Sequence, residues 1–433
     1  MTNTASPGTP RMLKQRLYVM MFLQYFMQGA YLPVISLYLR NSVGFTQIQI
    51  GMFASALAIG PIVAQFFIGQ VADRHVATDR VLAFCHAAGG MLMIVLYFQK
   101  EFLPIVILGT VYSILYVPTM MLTNSLTFDH LSDRDREFPW VRLWGTIGFI
   151  VPAWAIEWWW LSGLEGASLD QARGVILLLS GGSGLLMAAY CLTLPSTPPK
   201  PARSARFAPW AVIKLLERRD FRALVVVSLL VAIVHKFYFV QHSLFLSWVL
   251  ESGGVKGAWE QRVSSIGQVF EIFVMTGLGL AVTRYGFKNT MLVGAGAYLL
   301  RCLIFAGVYK AGLPFPATMA MVCAGQALHG LCFACFLAAA YMFVDRVAPR
   351  DVRSSMQTMY GTFVLGLGAF AGGVIAGGVG ERYTTGSGDA AVHDWGSIWL
   401  VCAAMAVVAL VMFAVLFPGK QAAEEEGPSQ DLS

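Results

Sequence analysis

Long apolar runs follow one another along almost the whole chain, and about twenty such residues are what one helical crossing of a bilayer needs. Twelve runs can be marked, at 17–39, 47–71, 80–99, 102–128, 138–161, 172–194, 221–249, 262–283, 288–309, 316–343, 354–380 and 395–417. Lipid offers no partner to a backbone N–H or C=O, so a spanning segment must satisfy its own, as a helix does. Only 12% of the 433 residues are charged, against about 25% in ordinary globular chains. The pattern therefore predicts an all-α integral membrane protein with twelve transmembrane helices, and it excludes a soluble enzyme.

The net charge of +6 is not a nucleic-acid footprint, because its placement explains it. With the N-terminus inside, the inner segments carry 20 Lys and Arg and the outer segments 7. That bias obeys the positive-inside rule and predicts a multi-pass protein of the inner (cytoplasmic) membrane with both termini in the cytoplasm. The first run, from Leu17, is long enough to span, so no cleavable leader is expected. The longest inner connection, 195–220, divides the chain six plus six: an N-terminal bundle over 1–194 and a C-terminal bundle over 221–417. Pro195 to Pro201 is a stiff, extended stretch, and Trp210 to Leu216 suggests a short interfacial helix. The acidic tail 418–433 is expected to be disordered.

Seven cysteines, Cys85, Cys191, Cys302, Cys323, Cys332, Cys335 and Cys402, all fall inside apolar runs and read as small hydrophobes. Cys332 and Cys335 form a C-x-x-C, but no second pair lies nearby, so neither a metal nor a redox site is expected. No nucleotide-binding loop or catalytic triad is present, so the chain is expected to need no cofactor and to be no enzyme.

The stretch Phe138-Pro-Trp-Val-Arg-Leu-Trp-Gly-Thr-Ile-Gly-Phe149 follows the charged turn Asp133–Glu137. Pro139 suits a first helical turn, where its missing N–H is not needed. Arg142, Thr146 and Phe149 stand at i, i+4 and i+7, so a cation, a hydroxyl and an aromatic ring share one helix face. An arginine inside a span costs about 2.5–3.5 kcal/mol and needs a partner or a water-filled cavity, unless it snorkels to the headgroups. In the second half Glu271 is the carboxylate deep inside a span, and Gln268 shares its face at i, i+3. At the far end of the fifth run Glu157 with Trp158, Trp159 and Trp160 reads as an interfacial aromatic belt. Gly366, Gly368, Gly372, Gly373, Gly377 and Gly378 in the eleventh read as close helix packing.

The halves repeat. Gly69-Gln-Val-Ala-Asp73-Arg74 follows run two, and Gly279-Leu-Ala-Val-Thr283-Arg284 follows run eight. A glycine allows close helix approach and an acid–base pair can lock an inner gate, which assigns Asp73, Arg74 and Arg284 to gating. This resembles the loop signature of the major facilitator superfamily, whose two six-helix halves rock around a site near the bilayer midplane. The fifth-run motif resembles that of the bacterial nucleoside:proton symporters. So do Leu23-Gln24, Tyr116-Val-Pro118-Thr119 with Asn124, Gln268-Val-Phe-Glu271, Arg284-Tyr-Gly-Phe-Lys288-Asn, Arg301 and Asp394-Trp395…Trp399.

The resemblance implies substrate contacts from Arg142, Thr146 and Phe149 in the first half. It implies Gln268 and Glu271 in the second; alignment places His235 and Tyr238 where the family presents amides, and Phe333 is assigned to the substrate with them. Glu271, ionisable and well inside its span, is expected to carry the coupling proton. The chain departs from the family where Phe333 is followed by Ala334 instead of an acid, and where Leu337 replaces an amide. His235, Lys236, His242 and His329 could replace the lost polarity, or each histidine could be a packed residue bonded to a carbonyl. The function implied is nucleoside import by proton symport, with alternating access, in a protein working as a monomer. The alternatives are a transporter of sugars or another small polar solute, and, in another class, a membrane sensor or enzyme on a transporter-like scaffold. A sensor would bring a signalling domain, and an enzyme a catalytic constellation.

Overall fold

The computed structural model describes residues 9–63, 76–198, 217–348, 353–386 and 388–418. Each of the twelve expected runs meets a helix among the described residues, the run 47–71 only over its part up to Val63. Helix α1 is Arg11–Tyr31, interrupted near Pro33 and resumed through Ile35–Tyr38 and Leu39–Val43. Helix α2 starts at Gln47, where Thr46 and Gln49 form a reciprocal capping box, and is described to Val63. Then come α3 (Thr78–Tyr97), α4 (Phe102–His130), and α5 (Arg134–Ala155, widened into a π-helical turn over Ile156–Trp160). Helix α6 is Val175–Cys191, after the short helix Gly166–Ala172, and α7 is Arg219–Ser252. Helices α8 and α9 form a continuous stretch, Glu260–Lys310, divided only at Gly286. Helix α10 is Phe315–Leu331, a π-helical stretch Cys332–Ala338, and Ala339–Val347. Helix α11 is built likewise from Arg353–Gly361, Thr362–Gly368 and Ala369–Arg382. A two-stranded hairpin, β1 (Thr384–Thr385) with β2 (Val392–His393), leads to α12 (Trp395–Leu416). Asp73, Arg74, the segment Trp210–Leu216 and the tail from residue 419 lie outside the described residues.

Gly286 makes the break between α8 and α9 with φ 75° and ψ 167°, a region that essentially only glycine enters. Both helices therefore depend on one residue to reverse. Gly286→Ala is expected to cost about 1–3 kcal/mol, seen as a thermal midpoint several degrees lower for the detergent-solubilised protein. An unchanged midpoint would show that the turn tolerates a side chain.

By contact the described residues form two units, one drawn from residues 1–203 and 239–265, the other from 204–238 and 266–433. The segment 239–265 thus groups with the first unit, although the sequence assigns it to the second bundle. Its attachment is specific. The Glu157 side chain is buried, and its two oxygens accept the backbone N–H groups of Gln261 and Arg262 at 2.6 and 3.0 Å and the Arg262 Nε–H at 3.1 Å. Beside it the buried pair Arg173–Glu260 closes at 2.8 Å. Trp158, Trp159 and Trp160 are exposed, as an aromatic belt requires. The belt reading fails for Glu157, because a helix start with unpartnered N–H groups is a better seat for a carboxylate than the lipid interface.

At the other end of α5, Glu137 accepts from Lys14 in the first turn of α1 and from Thr9 just before it, both at 2.5 Å. Burial pulls that carboxyl up, but the bonds from Lys14 and Thr9 and the Lys14 charge outweigh it and hold the group below its ordinary range.

In the second unit Gly368 and Gly372 bring α11 against Ala232, Ile233 and Lys236 of α7, as the glycine pattern predicts. Gly279 and Gly378 face open space, so at those two positions no close approach is made. The seven cysteines are free; the Cys302 and Cys402 sulfurs lie 3.3 Å apart, a pairing that no sequence spacing suggested.

Candidate functional site

In the first unit, the crossing of α1 and α5 sets the site. A side chain at Gly29 would strike the Phe149 backbone, and one at Gly148 the Phe22 backbone. Lipid supplies no hydrophobic drive between helices, so small residues that let backbones touch are what fix such a crossing. With the glycines turned to α1, the face bearing Arg142, Thr146 and Phe149 is left half-exposed. The Arg142 guanidinium lies over the Tyr25 ring, 4.3 Å from its centroid, and meets no carboxylate among the described residues. A cation–π contact is one way an arginine tolerates this depth, and its other donors stay available to a solute. Behind Tyr25 runs a buried chain of hydrogen bonds. His86 Nε2 is 2.9 Å from Gln24 Oε1, Gln24 Nε2 donates to Thr119 Oγ1 at 2.8 Å, and Tyr116 donates to the Gln24 carbonyl at 2.6 Å. This chain ties α1 to α3 and α4 and holds the α1 backbone in place behind Tyr25. The sequence pointed to Gln24 and Thr119 and missed His86.

In the second unit, the candidates gather where α7, α8, α9 and α10 meet. Gly267 packs against the His329 side chain, and a Cβ at Gly330 would meet the backbone of Phe270 and Glu271. This close crossing sets the turn of α8 that carries Gln268 and Glu271, both half-exposed, against α10 at Gly330. Phe333 stands in the π-helical stretch of α10, a distortion often found at functional sites. His235 Nδ1 is 2.8 Å from the Tyr298 hydroxyl, and its ring lies 5.9 Å from His329 and 6.4 Å from Phe333. Tyr238 is buried. Its hydroxyl donates to Gln326 Oε1 at 2.7 Å, and the Arg301 guanidinium covers its ring at 3.8 Å. Arg284 is exposed and stacks on the neighbouring Tyr285 at 5.4 Å, with no ion pair among the described residues.

The sequence marked Arg301 and His329 without placing them in this cluster, and it passed over Tyr298 and Gln326. A signal was there: His235 with Tyr238, Tyr298 with Arg301, and Gln326 with His329 are three polar pairs at i, i+3, each on one helix face.

The family model described as "Nucleoside H+ symporter" matches residues 12–422. The chain belongs to that family. It is 29% identical to the putative nucleoside transporter YegT of Escherichia coli over 93% of each chain. It is 26% identical to the nucleoside permease NupG of the same organism, over 94% of this chain and 96% of the relative. A crystal structure of a NupG variant superposes with a TM-score of 0.83 at 25% identity, covering 94% of this chain and all of that one. The symporter therefore has the twelve-helix, two-half major facilitator fold, spans the membrane many times, and moves nucleosides together with protons. It is a transporter and not an enzyme, which sets aside the sensor and enzyme readings.

Proposed function

We propose that this symporter draws nucleosides across the inner membrane into the cytoplasm as a monomer, with both termini cytoplasmic and Glu271 carrying the coupling proton. Arg142, Thr146 and Phe149 of α5 are assigned to the substrate, as are His235, Tyr238, Gln268, Glu271 and Phe333 of the second unit. Asp73, Arg74 and Arg284 are assigned to the inner gate. The observation that carries the reading is Glu271 itself. It is a carboxylate well inside α8, half-exposed, on the face shared with Gln268, in a chain whose α10 carries Ala334 where the family's acid is expected. A protonated carboxyl sheds its charge and so lowers the cost of moving through an occluded state. The flat base of a nucleoside suits stacking on an aromatic ring, and its ribose hydroxyls suit the amide and carboxylate of Gln268 and Glu271.

The test is uptake into proteoliposomes with labelled nucleosides and, as controls, sugars, with and without an inward proton gradient. Wild type is expected to accumulate a nucleoside only under the gradient. Glu271→Gln is expected to lose that accumulation while still exchanging labelled for unlabelled substrate. A wild type that never accumulates substrate under the gradient overturns proton coupling, and a preference for the sugars overturns the substrate.

A further inference from the structure

Arg301 is fully buried in the second unit, and no carboxylate lies within ion-pair distance of it among the described residues. Its guanidinium rests between two tyrosine rings, 3.8 Å from the centroid of Tyr238 and 5.2 Å from that of Tyr298. Nη1 is 3.0 Å from His329 Nδ1, while Nε and Nη2 have no hydrogen-bond partner. Arginine has five donors, no acceptor and a permanent charge. The proton of the Arg301–His329 bond therefore comes from arginine, and His329 Nδ1 must present a lone pair. A neutral imidazole with Nδ1 unprotonated carries its one hydrogen on Nε2. We propose that Arg301 is a positioning residue for His329, holding the imidazole neutral with its proton on Nε2, and so keeping it a hydrogen-bond donor outside the proton path.

The lock has two parts. Protonating Nδ1 would set two cations 3.0 Å apart in a buried site. It would also take away the single acceptor the guanidinium has among the described residues. The charged and titratable groups around His329 are Arg301 and Tyr298 of α9, His235, Lys236 and Tyr238 of α7, Glu271 of α8 and Cys332 of its own helix. Of these only Glu271 brings a carboxylate. The neighbouring cations, one permanent, oppose a second positive charge on the imidazole. A histidine in the expected site of a proton-coupled carrier is an obvious candidate for the coupling group. Here the arginine removes His329 from that role and leaves it to report on acceptor atoms. The lock on His329 needs no particular substrate and holds whether or not the carrier prefers nucleosides.

Nitrogen NMR of the detergent-solubilised protein with labelled histidine reads this directly. The His329 signal among the seven histidines is identified by its absence in His329→Asn. In wild type that signal is expected to stay at the neutral, Nε2-protonated position from about pH 5 to 8, the range in which an ordinary imidazole changes charge. In Arg301→Gln it is expected to titrate within that range. A wild-type His329 that protonates there, or that carries its proton on Nδ1, overturns the proposal, as does an Arg301→Gln spectrum that shows no titration. If Arg301→Gln does not fold, transport by His329→Asn decides. Asparagine offers Arg301 an acceptor but cannot carry a proton, so accumulation under a proton gradient should still exceed exchange. Loss of that excess with exchange retained would make His329 the proton carrier.

Discussion

Glu157→Ala is expected to lower the thermal midpoint of the solubilised symporter by about 10 °C, the largest effect of any single substitution considered. Helix α8 begins at Glu260, so the N–H groups of Gln261 and Arg262 fall in its first turn and have no carbonyl within the helix. A carboxylate 104 residues away in sequence takes both of them, and the Arg262 side chain as well. Arg262 has other support, donating to the Ala258 carbonyl at 2.6 Å and lying 4.0 Å over Trp259. The two backbone donors have none among the described residues. Breaking one side of a buried ion pair costs about 3–5 kcal/mol, and at roughly 2–4 °C per kcal/mol that gives the stated shift. Glu157→Gln keeps one acceptor oxygen and should fall between. A midpoint for Glu157→Ala within 2 or so degrees of wild type would show that the contact is incidental.

Arg142→Lys is expected to reach the membrane at the wild-type level and to lose uptake by about tenfold or more. The planar guanidinium lies over Tyr25 at 4.3 Å and makes no ion pair among the described residues. A lysine has a compact charge on a flexible stem; it can keep the attraction to the ring or reach a solute, but it does not present the same fixed donors. Losing one hydrogen bond from a charged donor to the solute, about 1.5–3 kcal/mol, is about a factor of ten or more in binding. Uptake at the wild-type rate would mean that Arg142 serves only to snorkel towards the headgroups.

The helices were legible because a bilayer leaves the chain few choices. Twenty apolar residues in a row dictate a helix, and the spacing of Arg142, Thr146 and Phe149 already gathers them on one face of α5. Partners on other helices were not legible. Glu157 stands among three tryptophans, and sequence alone does not show that the start of α8 lies against it. Arg301 reads as a cost, because its compensation is spread over Tyr238, Tyr298 and His329 on three helices. Lys236 was left between lipid and a helix contact, and its Cβ proves to lie against Gly372 of α11. The paired glycines of the loop repeat suggested close approach, yet Gly279 meets nothing, since a motif gives a residue's capacity and not its neighbour in one conformation.

The turn at Gly286 also decides where the molecule accepts foreign sequence. Two helices meet there with no loop between them, so an inserted tag would have to displace helical residues on both sides and undo a reversal that one glycine makes. The connection between β1 and β2 is the opposite case. Its strands are pinned by the pairing of Thr384 with His393, while the residues between them include exposed positions where added chain disturbs little. An epitope placed after Gly388 would leave both flanking helices intact, and its access to antibody in sealed cells would report which side of the membrane that end of α11 faces.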